Sequence, residues 1–385
     1  MKYDVAVIGG GASGLACAVR LTEKSKLKTV IIEAGERLGK KLSATGNGQG
    51  NISNTDLSPD HYFGGGANLA RRFACNNPQI YAELFDCIFT ADAQGRIYPA
   101  GRQASSLTDC LIRKLNGKAD IMLSTKVIGI EKGFTLNLSD GNKITAGSVV
   151  LCVGGKAQKQ FKTDGSSYAL ACVFGHKLTP LYPSLVQLKT ITQHIKTLKG
   201  IRADCTVSAV KGAKILKSVR GDVIFTEYGV SGNAVFALSP YVAGRDGITL
   251  SLEFLPDVTV GEIVDNLKKR RMAGYAQEDL LSGTLHNRIG RAVIDRAADK
   301  TDMQIAHMLK NFTLPVTGTL GFDYAQVTRG GIDMGGITDR LESKLVKNLY
   351  FAGEVLDVDG DCGGYNLHWA FASGLRVADA ILEDI

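Results

Sequence analysis

The first thirty-three residues constrain the fold most. Residues 3–8 read as a buried strand. Gly9, Gly11 and Gly14 follow in GxGxxG spacing, and a helical stretch places Leu15, Ala18, Val19 and Leu21 on a packing face. A second apolar strand over residues 29–32 ends in Glu33. Each part has a physical task. Gly9 makes the tight turn, Gly11 lets a pyrophosphate approach the backbone, and Gly14 lets helix and strand pack closely. The helix N-terminus turns free N–H groups and a partial positive charge toward the phosphates. Glu33 can accept hydrogen bonds from ribose hydroxyls. GxGxxG alone is a weak signal, but strand, glycines, helix, strand and acid in this order predict an α/β dinucleotide-binding fold.

Composition agrees. Glycine supplies 45 of 385 residues and proline only eight. There is no G-X-Y period, so a collagen-like chain is excluded, and the excess suits a backbone that approaches a large ligand. The mix of 44% hydrophobic and 22% charged residues excludes disorder. The length suggests two or three domains at roughly 150 residues each. No apolar run reaches the roughly 18 residues of a membrane span, and the N-terminus lacks the apolar core of a signal peptide. The expected compartment is the cytoplasm, with no membrane partner. Eight scattered cysteines form no C-x-x-C pair, which excludes a zinc ribbon and a short-spaced redox disulfide. No metal site is expected. The net charge of +7 is concentrated: residues 189–220 hold Lys189, Lys196, Lys199, Arg202, Lys211, Lys214, Lys217 and Arg220 against Asp204 alone, an excess equal to that of the whole chain. An anionic small-molecule substrate is expected, with RNA as a second reading of the stretch from Lys189 to Arg220.

The other end supplies the second signal. Residues 349–352 read as a strand ending in Gly353 and Glu354, a loop reaches Gly363 and Gly364, and a helix over residues 365–382 closes the chain. Residues 121–150 read as an antiparallel excursion turning at Asp140, Gly141 and Asn142, leading to Gly154 and Gly155 at a second close backbone approach. No second GxGxxG occurs, so no dedicated nicotinamide domain is expected.

Three motifs carry a resemblance: GERLGKKLSATGNGQGNISN (residues 35–54), AQVTRGGID (325–333) and FAGEVLDVDGDCGGYNL (351–367). On these the chain resembles the BaiN/YhiN-like FAD-dependent oxidoreductases, a branch of the two-dinucleotide-fold flavoproteins, over essentially its whole length. The resemblance implies a Rossmann-like, glutathione-reductase-like FAD-binding domain with an inserted mixed β-barrel and helical domain. The expected divisions are residues 1–189 and 321–385 for the FAD domain and 190–320 for the insert. FAD is implied as a non-covalent cofactor, and NAD(P)H as a transient electron donor. Gly9, Gly11, Ala12, Ser13, Gly14 and Glu33 would hold the ADP half. Lys41, Thr45, Gly46, Asn47 and Gly48 would lie along the pyrophosphate and flavin, and Val127 would meet adenine. Gly154, Gly330, Gly331 and Gly353 would approach the cofactor by backbone. Glu354, Gly364, Tyr365, Asn366 and Leu367 would close the ribityl and pyrimidine side.

The chain also departs from the family pattern. Gln49 and Gly50 stand where relatives commonly carry Arg and Cys, and Glu227 and Asn233 where they carry His and Pro. Roles that need a thiol or imidazole there do not transfer. The candidate proton donors are Tyr365, Cys362 and His368, with Glu227 a weaker one and Tyr98 a residue of the substrate cavity or of the loop. Lys268, Lys269, Arg270 and Arg271 read as a solvated helix face. Three activities are compatible with the resemblance. The first is reduction of an activated C=C bond, as in a steroid or bile-acid enone. The second is reduction of uridine in ribosomal RNA, and the third is oxidation of an amine such as aminoacetone.

Overall fold

The computed structural model describes residues 1–75 and 79–385. It divides into two compact units, residues 1–182 with 327–385, and residues 183–326. The first is built on a seven-stranded sheet. Strand β1 (Lys2–Ile8) turns through Gly9 to Gly11 into helix α1 (Ala12–Lys24), and the chain returns as β2 (Thr29–Ile32). Then come β3 (Asp120–Met122), β4 (Val127–Glu131), β5 (Thr135–Leu138) and the long β6 (Lys143–Leu151). The order is β3-β2-β1-β6-β5-β4. A last strand, Leu349–Phe351, pairs in parallel with β6 at Val149 to Leu151. β3, β2, β1 and β6 are parallel neighbours, while β4, β5 and the start of β6 form an antiparallel meander. The meander turns at Asp140 to Asn142, where Gly141 takes a φ of +86°. Ile121, read in sequence as the start of this excursion, belongs instead to β3, in parallel with β2 at the opposite edge. Short parallel strands lack the alternation that separates the two readings.

β1 lies between β2 and β6, so the chain leaves it toward both sides of the sheet. That reversal opens a crevice beyond the carboxyl end of β1, where open α/β sheets bind ligands. Helix α1 fills the space behind it and is buried on more than its predicted face. Leu15, Ala16, Cys17, Ala18, Val19 and Leu21 are all sealed. The cause is the C-terminal helix, Tyr365–Leu382, which crosses α1 so closely that a Cβ on Gly374 would strike the Ser13 carbonyl. Small residues at the crossing let the two backbones meet.

The second unit is a closed six-stranded barrel. Its strands are β7 (Leu188–Thr190), β8 (Arg202–Lys211), β9 (Lys214–Phe225), β10 (Gly229–Ser231), β11 (Ile248–Glu253) and β12 (Phe312–Thr319), in the order β7-β10-β9-β8-β11-β12. Alternation builds its interior: Cys205, Val207 and Ala209 on β8 and Ile248, Leu250 and Leu252 on β11 point inward. Helices Val260–Met272, Asn287–Arg296 and Asp302–Lys310 add Leu267, Val293, Ile305 and Leu309 to the same core. The first opens with a capping box between Thr259 and Glu262. At its other end Arg270 donates to the Ser282 carbonyl and Arg271 pairs with Asp302, so half of the expected basic face fastens the helix to its neighbours. The compact unit extends beyond the sequence limits 190 and 320. Leu188 already pairs with both β10 and β12, and the Gln326 N–H donates to the Leu185 carbonyl. A charge shift marks surface, whereas the barrel begins with its first paired strand. Among the described residues, no helix is long and apolar enough to cross a membrane.

Candidate FAD site

The glycine turn is shaped by contact. Gly9 has a φ of +103°, and a Cβ there would enter the Cys152 carbonyl. A Cβ on Gly14 would strike the Gly9 carbonyl. Gly11 differs: a Cβ there would meet nothing within 4 Å. A backbone position bare of side chain, at the N-terminus of a thirteen-residue helix and open on its outer side, is the cradle that a pyrophosphate fills. Glu33 stands at the end of β2 with its carboxylate already oriented, accepting from the Gly10 N–H at 2.8 Å and the Gly35 N–H at 2.6 Å. Two fixed amides hold its orientation.

Lys41 and Glu354, 313 positions apart in sequence, form an ion pair at 2.8 Å. The other Glu354 oxygen accepts from the Thr328 N–H at 2.8 Å, and the Thr328 hydroxyl in turn accepts from the Lys156 and Ala157 N–H groups. Gly155 has no room for a Cβ beside this network. The segment Thr45–Gly48 carries left-handed φ values at Gly46, Asn47 and Gly48 of +58°, +55° and +82°. Left-handed Asn47 is a local strain of the kind that collects at ligand clamps. The Thr45 hydroxyl closes its own turn on the Leu42 carbonyl.

Other expected cofactor positions have packing tasks. Gly330 and Gly331 lie against the Pro180 carbonyl and the Val355 to Leu356 backbone, Gly353 against Ser13, and Gly364 against the Ser53 backbone. Gly154 takes a φ of +70°, and Val127 is buried opposite Leu138 in β4. The Ser13 hydroxyl donates to the Ala352 carbonyl, and Ala12 opens α1. Asn366 spends its amide on Gly360, accepting from its N–H and donating to its carbonyl, both at 2.8 Å. Leu367 packs at the edge of the core. The C-terminal helix grips Gly353 from two sides, through the Ser373 hydroxyl at 2.8 Å and the Trp369 indole at 3.3 Å.

The three candidate donors separate. His368 is fully buried, with Nδ1 at 2.7 Å from the Ser53 hydroxyl and Nε2 at 2.9 Å from the Ala74 carbonyl. Both nitrogens serve the packing of the helix. Cys362 reaches solvent, yet the surrounding protein pushes its thiol above the ordinary range, with Arg96 partly offsetting that. Tyr365 has a buried ring, and its hydroxyl makes no hydrogen bond to any described residue. Burial raises the phenol well above its ordinary value, reinforced by Asp56 and Asp361, so it stays protonated at neutral pH.

The structure also gathers residues the sequence did not reveal. The pairing of Asp359 and Gly360 with Tyr62 and Phe63 brings His61 beside Asp361. Arg329 pairs with the sealed Asp359 at 3.1 Å and covers the Phe63 ring at 4.6 Å. Burial pushes Asp359 up to about 6 in spite of Arg329. The only trace of this in sequence is the spacing of Asp357, Asp359 and Asp361 on alternate positions of an otherwise apolar and glycine-rich run. At the departures from the family pattern, Gly50 has a φ of +76° and a Cβ would press on Ala104 and Leu107, while Gln49 accepts from Arg102 at 3.5 Å. Glu227 pairs with Lys199, and the Asn233 amide accepts from the Asp222 N–H.

A doubly wound sheet, an open Gly11 cradle at a helix N-terminus, an oriented acid after β2 and a C-terminal strand and helix that return to the same crevice define a Rossmann-type FAD-dependent oxidoreductase. The chain belongs to the HI0933-like protein Rossmann domain family, whose model matches residues 3–380. It is similar to the 3-dehydro-bile acid delta(4,6)-reductase of Clostridium scindens, at 32% identity over 98% of this chain and 99% of that one. It is also similar to the ribosomal RNA dihydrouridine synthase of Escherichia coli, at 25% identity over 99% and 98%. Among solved structures, the 3-ketosteroid delta1-dehydrogenase of Sterolibacterium denitrificans aligns over the full length of both chains with a TM-score of 0.53 at 11% identity, a likeness of fold.

Proposed function

We propose that the protein reduces a carbon–carbon double bond conjugated to a carbonyl in a small, largely apolar substrate, with a 3-oxo bile-acid enone or dienone as the leading instance. The observation that carries this reading is Tyr365: a buried ring at the start of the C-terminal helix whose hydroxyl makes no hydrogen bond to any described residue. The full-length likeness to a bile-acid reductase supports the substrate class. FAD, once reduced, supplies a hydride. An enone that accepts a hydride at its β-carbon needs a proton at its α-carbon; Tyr365 would give it, with Cys362 a second weak acid three residues before it. Turnover would need a two-electron donor of the NAD(P)H class. Lys41, Glu354 and Thr328 fix the ribityl side, and Gly11 and Glu33 the ADP half. His368 is assigned a structural role.

Anaerobic incubation of the FAD-loaded protein with NADH or NADPH and a panel of steroid enones tests the reading. Loss of the conjugated chromophore together with oxidation of the nicotinamide is expected. No consumption across the panel would overturn it.

Uracil C5=C6 is another activated double bond, and the E. coli relative favours a second reading, uridine reduction in ribosomal RNA. The barrel surface weighs against it. Of the eight basic residues from Lys189 to Arg220, three are matched by acids: Arg202 pairs with Asp222, Arg220 with Asp257 and Lys199 with Glu227. The rest includes a lysine-bearing hairpin turning at Gly212, with no aromatic residue in the stretch to stack a base. If RNA is the substrate, binding will weaken steeply with salt, and reversing Lys211, Lys214 and Lys217 to Glu will abolish it. The enone reading expects these changes to leave steroid reduction intact.

A further inference from the structure

His61 occupies a setting that no motif in the sequence announces. Its Nδ1 lies 3.0 Å from Asp361 and its Nε2 3.2 Å from Asp56. A carboxylate faces each nitrogen, an arrangement that is fully satisfied only when both nitrogens donate and the ring is charged. The same ring stacks on Tyr365, with centroids 4.2 Å apart and planes 19° from parallel. Tyr62 meets the Tyr365 ring edge-on at 6.0 Å and donates to its backbone carbonyl. The second Asp361 oxygen is buried and has no hydrogen-bond partner among the described residues. The clamp is therefore an imidazole held by two acids from different parts of the chain and laid flat on the ring of the candidate donor. Fastening a loop needs neither the second carboxylate nor the stack.

We propose that His61 is a positioning residue for proton delivery: as an imidazolium clamped by Asp56 and Asp361, it holds the Tyr365 ring by stacking and keeps the phenol hydroxyl aimed at the substrate. The proposal rests on the reading of Tyr365 as the donor. A cation over an aromatic face is attracted by its quadrupole, and the hold weakens when the imidazole becomes neutral. The groups facing His61 are Asp56 on its own segment, Asp361 on the C-terminal loop and Tyr365 on the C-terminal helix, with Tyr62, Cys75, Cys362 and Arg71 around them. The hydrogen bond to Asp361 is the largest influence keeping His61 charged above its ordinary range, and burial opposes it. Full charge is therefore present below the ordinary histidine value and is lost as pH rises through the elevated one.

The test uses the FAD-loaded protein and two readouts. The first is the NMR titration of the His61 ring, which needs no turnover. In the wild type it should titrate above the ordinary histidine value, and in Asp361→Asn about one pH unit lower. The second is the pH profile of kcat for enone reduction. Wild-type kcat should fall along a limb that coincides with the His61 titration, Asp361→Asn should move that limb down with it, and His61→Phe should lose it. His61→Phe keeps a stacking ring without charge, and should lower kcat about tenfold at neutral pH with KM little changed. Tyr365→Phe separates the two ideas. If it lowers kcat by about a hundredfold or more, the donor reading stands. If it leaves kcat unchanged, the donor reading and this proposal both fall. If Tyr365→Phe is impaired but His61 titrates at its ordinary value, or His61→Phe keeps the wild-type kcat and limb, the positioning role is overturned and the donor reading survives.

Discussion

The two units use glycine in opposite ways. In the FAD unit Gly11 is open, whereas other glycines stand where any side chain would enter backbone: Gly14 against the Gly9 carbonyl, Gly364 against Ser53, and Gly374 against Ser13. In the barrel, Gly212, Gly247, Gly274 and Gly318 have open space around them and serve turns or bends. Gly229 and Gly232 press on Leu188 and Asp222 in the one stretch of the insert that carries a family pattern, and Gly221 and Gly290 press on the Asn233 and Leu281 side chains outside it. Contact glycines leave spaced motifs in a sequence, and turn glycines do not. One unit therefore announces its fold and cofactor, while the other announces only that its strands alternate.

The largest effect expected from this contrast is at the buried ion pair of the FAD unit. Arg329→Met leaves Asp359 without its counter-charge in a sealed site, a loss of about 3–5 kcal/mol. The loss should itself depend on pH. Asp359 already binds its proton more tightly in the folded state than the ordinary 3.8, at about 6. Its favourable share is thus complete below the ordinary value and fades as pH rises through about 6. Without Arg329 the folded carboxyl holds its proton more tightly still. Denaturant melts should show Arg329→Met less damaging at acidic than at alkaline pH, and an equal penalty at both would refute this balance.

Next in size is Gly14→Ala, which drives a Cβ into the Gly9 carbonyl. It should lower stability by about 1–3 kcal/mol and strip FAD from the purified protein, read as flavin absorbance per chain. Full flavin occupancy in this variant would break the comparison. Lys41→Met removes the partner of Glu354 without crowding anything. It should weaken FAD binding by about tenfold, a loss of about 1.5 kcal/mol measured by fluorescence titration, with little change in melting of the apoprotein. The smallest effect belongs to the barrel. Gly212→Ala meets no atom, only the strain of a left-handed φ of +59°, and should destabilise by about 1 kcal/mol with FAD content unchanged.

Much of the first unit was legible because its signals are local. The turn from β1 to α1, the acid after β2 and the helix over residues 365–382 each sit within a few residues of the feature that dictates them. What escaped depends on distant parts of the chain. His368 looked like an acid one turn into a helix, and its ring is locked by Ser53 and Ala74. The pairs His61 with Asp361 and Lys41 with Glu354 join positions about 300 residues apart, which no spacing rule reaches. The charge excess of residues 189–220 was real, but its neutralising acids, Asp222, Glu227 and Asp257, lie just beyond that window.

One measurement tests the central claim most directly. The flavin is reduced anaerobically without nicotinamide, and the protein is then mixed in a stopped-flow instrument with a 3-oxo bile-acid dienone or, separately, with a uridine-containing ribosomal RNA fragment. The account predicts reoxidation of the flavin by the dienone, one double bond reduced per flavin, and slow or absent reoxidation by the RNA. Reoxidation by the RNA with the dienone inert would contradict it.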